Sequence, residues 1–244
     1  MKIGLQLWSV KEECEKDFIG TLKKIANMGY DGVEFAGYGN LSSAELKRVL
    51  GELNLSSCGS HVPLNDLRDN LDEVIKLNLD IGNKYIICPY ASFNNENDVK
   101  EVSDILNKAS YICSKNGLVL GYHNHNHEFN KFNEKSVLNL LFERFNKEII
   151  SELDTYWIEY AGINAVSYME EHRDRIKLIH IKDMIVANKE KNSTEIGNGI
   201  LDIESIVKKA KENNLEWIIV EQEFFTKSPI ESVQEGLEYL KTIV

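Results

Sequence analysis

Short apolar runs alternate with longer amphipathic segments along the whole chain. The apolar runs are rich in β-branched residues and short for buried helices, which is typical of the buried strands of a parallel sheet. They recur at roughly even intervals, so a repeating unit organises the chain. Eight strands are predicted on this basis, at residues 2–8, 32–35, 55–60, 85–89, 118–123, 149–154, 176–180 and 217–221.

The segments between these runs carry apolar residues at helical spacing, as Leu67, Leu71 and Ile75 do. Glycines such as Gly29 and Gly117 stand just before the next strand, where helices of this kind end. Helices are therefore predicted at residues 18–28, 43–53, 67–79, 97–115, 136–145, 165–171, 203–213 and 229–240.

Eight strand–helix units in 244 residues indicate an α/β protein with a (β/α)8 TIM barrel, formed by one domain over residues 1–244. A doubly wound open sheet is the alternative, but no Gly-x-Gly-x-x-Gly motif follows a predicted strand. In a barrel all strand C-termini meet at one face, and that face carries the active site.

Net charge and the lengths of the apolar runs argue against several classes of protein. The net charge of -11 disfavours a nucleic-acid partner, because phosphate binding needs a basic surface. No apolar run approaches the roughly 20 residues that cross a bilayer, and residues 2–8 are too short for a secretory signal. We therefore expect a cytoplasmic protein without a membrane partner. The oligomeric state is open, and a homodimer is compatible with it. Free thiols are expected for the four dispersed cysteines, Cys14, Cys58, Cys88 and Cys113.

Polar or ionisable side chains end nearly every predicted strand. Asp154, His180 and Glu221 each directly follow apolar residues at the end of a predicted strand, and the three strands are consecutive. Carboxylate oxygens combined with an imidazole suit Mn²⁺, with Mg²⁺, Co²⁺ or Zn²⁺ as alternatives. These residues therefore predict a divalent-metal site that takes a fourth ligand from the preceding strand.

Three of the six histidines lie within five positions after the fifth strand. An extended backbone would put His123, His125 and His127 on one face, because asparagines alternate with them. Glu128 follows at once. A solvated polar loop is one alternative. A metal site of the three histidines alone is another, but it would leave the ionisable residues of the later strands unexplained.

Other residues near the same face are open to two interpretations. Lys182 could stabilise an enolate or bind phosphate, or it could form a surface salt bridge with Asp183. The Gly197-Asn-Gly199 segment lies where such barrels often bind phosphate, although an ordinary turn explains it as well. Aromatic side chains suit the C–H faces of sugars or simple packing, and those near the rim are Trp8, Phe35, Tyr38, Tyr90 and Trp157.

The chain resembles the sugar phosphate isomerase/epimerase group of the xylose-isomerase-like TIM-barrel superfamily. That superfamily also includes inosose dehydratases, ketose 3-epimerases and, more remotely, endonuclease IV. Gly-Tyr-His-Asn-His at residues 121–125 and His-Ile-Lys-Asp at 180–183 are two of the matching stretches. The others are residues 4–10, 28–37, 60–63, 128–129, 153–154, 197–199 and 220–223, so the matches cover the whole chain in order.

The resemblance implies a divalent metal held by Glu, Asp, His and Glu from the last four barrel strands. Asp154, His180 and Glu221 match the last three positions. At the first position this sequence has His123, and Glu128 follows five residues later. We expect Glu128 to fold back to the metal, with His123 as the alternative ligand.

These residues predict a metal-dependent isomerase or epimerase that acts on a sugar, keto-sugar or sugar phosphate. The metal would polarise a carbonyl, and Glu221, with His123 and Glu128 as further catalytic candidates, would move protons at the adjacent carbon. The substrate would contact Trp8, Glu34, His61, His125 and Lys182.

Three alternatives remain at this stage. The first is a metal-dependent lyase or dehydratase that acts on a cyclitol or 3-keto-sugar. The second is a phosphodiesterase resembling endonuclease IV, which would need more histidines and a basic face. The third is a sugar-binding barrel without catalysis, which would exchange no substrate hydrogen with solvent.

Overall fold

Eight parallel strands close into a barrel in the computed structural model, which describes residues 1–244. Each strand pairs with its neighbours in sequence, and the last strand pairs back onto the first, with Lys2 opposite Trp217. The predicted (β/α)8 barrel is therefore confirmed, and each predicted strand is observed within two residues of its expected bounds. The strands are β1 (Lys2–Gln6), β2 (Gly32–Phe35), β3 (Ser56–His61), β4 (Tyr85–Cys88), β5 (Val119–His123), β6 (Ile150–Asp154), β7 (Ile176–Ile181) and β8 (Trp217–Val220).

Helices surround the barrel, and three of them have the predicted bounds. The predicted helix at 67–79 is two helices, because the backbone of Asn70 leaves the helical region at φ -127° and ψ 24°. No helix has both the length and the apolar character needed to cross a lipid bilayer. The helices are α1 (Lys11–Lys16), α2 (Phe18–Met28), α3 (Ser43–Leu53), α4 (Leu64–Asp69), α5 (Leu71–Asp80), α6 (Glu96–Lys115), α7 (Val137–Arg144), α8 (Thr155–Tyr160), α9 (Ala165–Glu171), α10 (Ile203–Glu212) and α11 (Pro229–Ile243).

Local chemistry sets the ends of these helices. The side chains of Ser42 and Ser228 each accept a hydrogen bond from the backbone N–H of the glutamate three residues later. That glutamate side chain accepts the backbone N–H of the serine in return. This reciprocal pairing satisfies two amides that the helix itself leaves free. At the other end of α2, Gly29 adopts a left-handed backbone with φ 90°, which only glycine accepts without strain.

The barrel interior is apolar at one end and ionisable at the other. Successive side chains of a strand point to opposite faces, so alternate residues share the interior. On β7, Leu178 lies in the apolar interior cluster, and His180 and then Lys182 follow on the same face. On β8, Ile219 is followed in the same way by Glu221. The ionisable residues therefore collect at the C-terminal ends of the strands.

Two hairpins lie outside the barrel, and neither was predicted from the sequence. The first joins Lys131–Phe132 to Lys135–Ser136, and the second joins Asp183–Ala187 to Glu190–Thr194 directly after β7. The second hairpin packs over the β7–β8 side of the barrel, where the Ser193 hydroxyl oxygen accepts the backbone N–H of Phe224 at 3.1 Å.

A buried carboxylate ties the end of this hairpin to α11. Glu195 Oε1 accepts hydrogen bonds from the Ser232 hydroxyl at 2.7 Å and from the Thr226 hydroxyl at 2.9 Å. Burial by itself raises the pKa of Glu195, but these hydrogen bonds outweigh it and lower that pKa to about 2. Glu195 is therefore ionised in the folded protein at neutral pH.

Candidate active site

Four ionisable side chains converge where the C-terminal ends of β5 to β8 meet. One possible ligand atom from each residue lies within 4.8 Å of the others, and all four side chains are buried. The consecutive strands explain the convergence, because each delivers one inward-facing residue at its end. We call this set the outer cluster, and its members are His123, Asp154, His180 and Glu221.

The outer cluster has the donor set of a transition-metal site. His180 Nδ1 lies 3.0 Å from Glu221 Oε2, and His123 Nε2 lies 3.3 Å from Asp154 Oδ2. Both ring nitrogens of His123 are buried without a well-directed hydrogen bond, whereas Asp154 Oδ2 has an ion-pair partner in the Lys182 ammonium at 3.0 Å. Leaving such groups unpaired is costly, so a ligand is the economical explanation. Two imidazoles and two carboxylates fit Zn²⁺, Co²⁺ or Mn²⁺.

Asp154 is oriented by the helix that begins after it. Its Oδ1 accepts the backbone N–H groups of Tyr156 at 2.9 Å and Trp157 at 3.0 Å, which caps α8. The Asp154 backbone N–H in turn donates to Asn124 Oδ1 at 3.1 Å. These bonds leave Oδ2 directed at the outer cluster, so the cap and the site use different oxygens of one carboxylate.

Lys182 lies beside the outer cluster and is 1% exposed. Its ammonium nitrogen is 2.7 Å from Glu221 Oε2, 3.0 Å from Asp154 Oδ2 and 3.5 Å from Glu223 Oε2. Burial lowers the pKa of Lys182, but the three carboxylates outweigh burial and raise that pKa above its ordinary value. The salt bridge between Lys182 and Asp183, which was one interpretation of the sequence, is absent. Asp183 accepts hydrogen bonds from backbone N–H groups instead.

The carboxylates of the outer cluster are ionised. Burial raises the pKa of Asp154, but Lys182 and His123 outweigh it and lower that pKa to about 2. Burial also raises the pKa of Glu221, but Lys182 and His180 hold it well below its ordinary value. Metal ligation needs deprotonated carboxylates, so both groups are in the required state at neutral pH.

Glu128 is not brought to the outer cluster. Its Oε1 accepts the Tyr122 hydroxyl at 2.7 Å, and its Oε2 accepts the His125 backbone N–H at 2.8 Å. Both oxygens are thus engaged within the turn after β5, where Glu128 groups with His125 and His127. The expected fold-back of Glu128 therefore does not occur in the structure, and His123, the alternative, occupies the position next to Asp154.

A second group of ionisable residues lies deeper in the barrel and shares His180 with the outer cluster. Glu34 Oε2 is 2.7 Å from His180 Nε2 and 3.3 Å from His61 Nε2. Glu152 Oε2 is 2.9 Å from His61 Nε2 and 3.2 Å from His180 Nε2. We call Glu34, His61, Glu152 and His180 the inner cluster. Sequence analysis missed Glu152, although it alternates with Asp154 on β6 and so shares its face.

A pocket of about 800 Å³ opens above both clusters. Three of the predicted substrate-binding residues line it, namely Trp8, His61 and His125. The other two, Glu34 and Lys182, are buried below it among the clusters. Two aromatic residues from the predicted rim, Tyr38 and Tyr90, line the pocket, and so do four carboxylates, Asp66, Glu73, Glu221 and Glu223. None of the 18 lining residues is lysine or arginine.

The Gly197-Asn-Gly199 segment is an ordinary turn held by one carboxylate. Asp183 Oδ2 accepts the backbone N–H groups of Gly197 at 3.0 Å and Gly199 at 2.9 Å, and Oδ1 accepts that of Leu201 at 3.1 Å. Amides that already donate to a buried carboxylate are not free to bind a phosphate. The segment therefore orders the loop between β7 and α10.

Solved structures share this fold over nearly the whole chain. A sugar phosphate isomerase/epimerase from Parabacteroides distasonis is 26% identical, with a TM-score of 0.85 over 99% of this chain and 98% of that one. The IolI protein, crystallised with a zinc atom, is 15% identical, with a TM-score of 0.78 over 100% and 98% of the two chains. At that identity the second likeness shows the fold alone.

Sequence comparison gives the family. Inosose dehydratase of Clostridium beijerinckii is 28% identical over 64% of this chain and 58% of its own length. The match thus spans less than two thirds of that relative. The family model described as xylose isomerase-like TIM barrel matches residues 22–243. The chain therefore belongs to the xylose isomerase-like TIM barrel family.

Proposed function

We propose that the protein is a divalent-metal-dependent isomerase or epimerase that acts on an unphosphorylated keto-sugar. The observation that carries the proposal is the convergence of two imidazoles and two carboxylates beside a large pocket. A metal centre at the base of a carbohydrate-sized pocket is the arrangement that acidifies a C–H bond next to a carbonyl.

His123, Asp154, His180 and Glu221 would hold the metal. When bound, it would polarise a substrate carbonyl and lower the pKa of the neighbouring C–H. The two imidazole donors favour Zn²⁺, Co²⁺ or Mn²⁺ over Mg²⁺, which prefers an all-oxygen environment. The Mn²⁺ expected from the sequence is thus compatible with the donor set.

Residues on two sides of the pocket take part in the proton transfer in this proposal. Glu221 and Glu223 reach the pocket from the β8 side, whereas His125 reaches it from the β5 side. Glu221 removes the proton, and Lys182 holds its carboxylate in place at 2.7 Å. Burial raises the pKa of Glu223, which is placed to return a proton at a different atom or face. Burial lowers the pKa of His125 to about 3, so its neutral imidazole orients the substrate by hydrogen bonding.

The pocket favours a neutral sugar over a sugar phosphate. It is lined by four carboxylates and no cationic side chain, and a phosphate dianion would meet like charges there. Lys182 is the nearest cation, but its ammonium already faces three carboxylates. Trp8 and Tyr90 are about half exposed at the rim, where aromatic faces can pack on sugar C–H surfaces.

A dehydratase that acts on a cyclitol or keto-sugar is the second candidate. The curated relatives that match are named inosose dehydratase, which is the specific observation that favours it. The same first proton removal would be followed by expulsion of a β-hydroxyl as water, with Glu223 as the general acid, because burial raises its pKa. Loss of water from the product, seen by mass spectrometry, separates dehydration from isomerisation.

Deuterium incorporation from D₂O tests the proposal directly. The metal-loaded protein would be incubated with a panel of unphosphorylated keto-sugars and their phosphates, beside Glu221→Gln. Glu216→Gln is the matched control, because Glu216 lies half exposed next to Lys2. We expect exchange into at least one neutral sugar, retained by the control and lost in Glu221→Gln. Exchange confined to sugar phosphates, or unchanged in Glu221→Gln, would refute the assignment.

A further inference from the structure

We propose that the inner cluster is a second divalent-cation site, bridged to the outer cluster by the imidazole of His180. Four donor atoms meet there: Nε2 of both histidines and Oε2 of both glutamates. The four spacings between imidazole and carboxylate atoms are 2.7, 2.9, 3.2 and 3.3 Å. Ligands about 2.1 Å from a tetrahedral zinc ion lie about 3.4 Å apart. A small expansion of the observed set reaches that geometry.

His180 presents one ring nitrogen to each cluster. Its Nδ1 lies 3.0 Å from Glu221 Oε2 in the outer cluster, and its Nε2 lies 2.7 Å from Glu34 Oε2 in the inner one. A neutral imidazole keeps one ring proton, so His180 ligates an ion through each nitrogen once that proton is released to solvent and the ring is an imidazolate. The two sites are therefore coupled through a single fully buried ring.

Hydrogen bonding alone leaves the inner cluster incompletely satisfied. One carboxylate would suffice to orient the Nε2–H of His180, yet Glu34 and Glu152 both approach it, and His61 faces both. Oε1 of Glu34 and Oε1 of Glu152 are buried and have no hydrogen-bond partner. Buried carboxylate oxygens without a partner are costly, and a cation that each carboxylate held through both of its oxygens would offset that cost.

The charge balance of the two clusters also calls for a second cation. The two clusters contain four carboxylates, and the Lys182 ammonium is the one lysine charge beside them. With His180 as a bridging imidazolate, the charges of the clusters and Lys182 sum to -4. One divalent ion would leave two negative charges in the barrel interior, and a second ion in the inner cluster would balance them. The carboxylates are those of Glu34, Glu152, Asp154 and Glu221.

The surroundings hold the inner donors in position. Gln6 Nε2 donates to Glu34 Oε2 at 2.7 Å, which orients that carboxylate as outer-shell partners of metal ligands do. A Cβ at position 59 would overlap Glu34 Oε1, so Gly59 makes the room this carboxylate occupies. His61 also lines the pocket, which gives an ion a path from solvent. Two nitrogens and two oxygens again suit Zn²⁺ or Co²⁺.

Metal stoichiometry tests this inference without reference to turnover. The full-length protein, stripped with a chelator, would be titrated with Co²⁺ and with Zn²⁺, and bound metal would be measured by elemental analysis and calorimetry. We expect two ions in the parent. Glu152→Gln should keep the outer ion and bind the inner ion more weakly. The loss of affinity should exceed the roughly 10- to 100-fold effect of losing an outer-shell partner. Asp154→Asn should keep the inner ion, and His180→Ala should lose both.

Glu101→Gln on the outer face of α6 is the matched control, and circular dichroism checks that each variant is folded. One ion in the parent, unchanged in Glu152→Gln and lost in Asp154→Asn, would overturn the inner site and leave the proposed function standing. No ion in the parent would overturn both. Glu34→Gln provides an independent variant of the inner site, and it should match Glu152→Gln.

Discussion

Replacing Lys182 by methionine should destabilise the metal-free protein strongly and the metal-loaded protein much less. Methionine has a similar length but no charge, so Asp154 and Glu221 lose the ammonium that lies 3.0 and 2.7 Å from them. Breaking a buried ion pair by removing one partner costs about 3–5 kcal/mol. At about 2–4 °C per kcal/mol for a chain of this size, the Tm should fall by about 6–20 °C.

A bound divalent ion would take over the role of the ammonium at the two carboxylates. The difference in Tm between Lys182→Met and the parent should therefore shrink when Zn²⁺ or Mn²⁺ is added in excess. Without the ammonium both carboxylates are free to bind the ion, so Lys182→Met should bind it more tightly than the parent. Each tenfold gain in affinity offsets about 1.4 kcal/mol of the loss at saturating metal.

Thermal unfolding in chelator and in saturating metal is the assay for Lys182→Met. Lys209→Met is the control, because Lys209 pairs with Glu170 and Glu212 near the protein surface, where such pairs contribute at most about 1 kcal/mol. The reasoning would be refuted by a Tm loss in chelator no larger than that of the control. An equal loss with and without metal would refute the metal-related half of it.

Three further predictions concern the ligand at the end of β5, the packing of Glu34 and the buried carboxylate of Glu195. His123→Ala should lose the ion bound at the outer cluster, whereas Glu128→Gln should retain it, as elemental analysis of both variants would show. The reverse pattern would identify Glu128 as the ligand. Gly59→Ala should displace the Glu34 carboxylate, because the added methyl meets a packed interior. The protein should be destabilised by about 1–3 kcal/mol in urea unfolding. An unchanged unfolding midpoint would contradict the packing described. Glu195 has a folded pKa of about 2, so its contribution of about 3 kcal/mol is full above pH 5 and is lost as the pH falls toward 2. Glu195→Gln should flatten that part of the stability–pH curve, and an identical curve would count against the assignment.

The barrel was predictable because short, mostly apolar stretches alternate at regular intervals with longer segments of helical periodicity. The hairpin after β7 was not predictable in the same way. Its turn uses Asn188 and Lys189, with φ 54° and 70°, and lacks the glycine that usually marks a two-residue turn. The strands of that hairpin pack outside the barrel, so the apolar pattern used for β1 to β8 does not apply to them.

The candidate site was only partly predictable. Asp154, His180 and Glu221 could be located because each follows apolar residues at the end of a predicted strand. Glu152 was missed because it lies inside its strand, where alternation along β6 was the available signal. Glu128 was misplaced, because the sequence does not show that the hydroxyl of Tyr122 and a backbone amide occupy its two oxygens.

Anomalous diffraction from crystals soaked in Zn²⁺ or Mn²⁺ is the most direct test of the central claim. The proposed function depends on an ion held at the outer cluster at the C-terminal ends of β5 to β8. We expect an anomalous peak within about 2.0–2.3 Å of donor atoms from His123, Asp154, His180 and Glu221. A saturated crystal with no peak there, or with its peak at Glu128 and His127, would contradict the account.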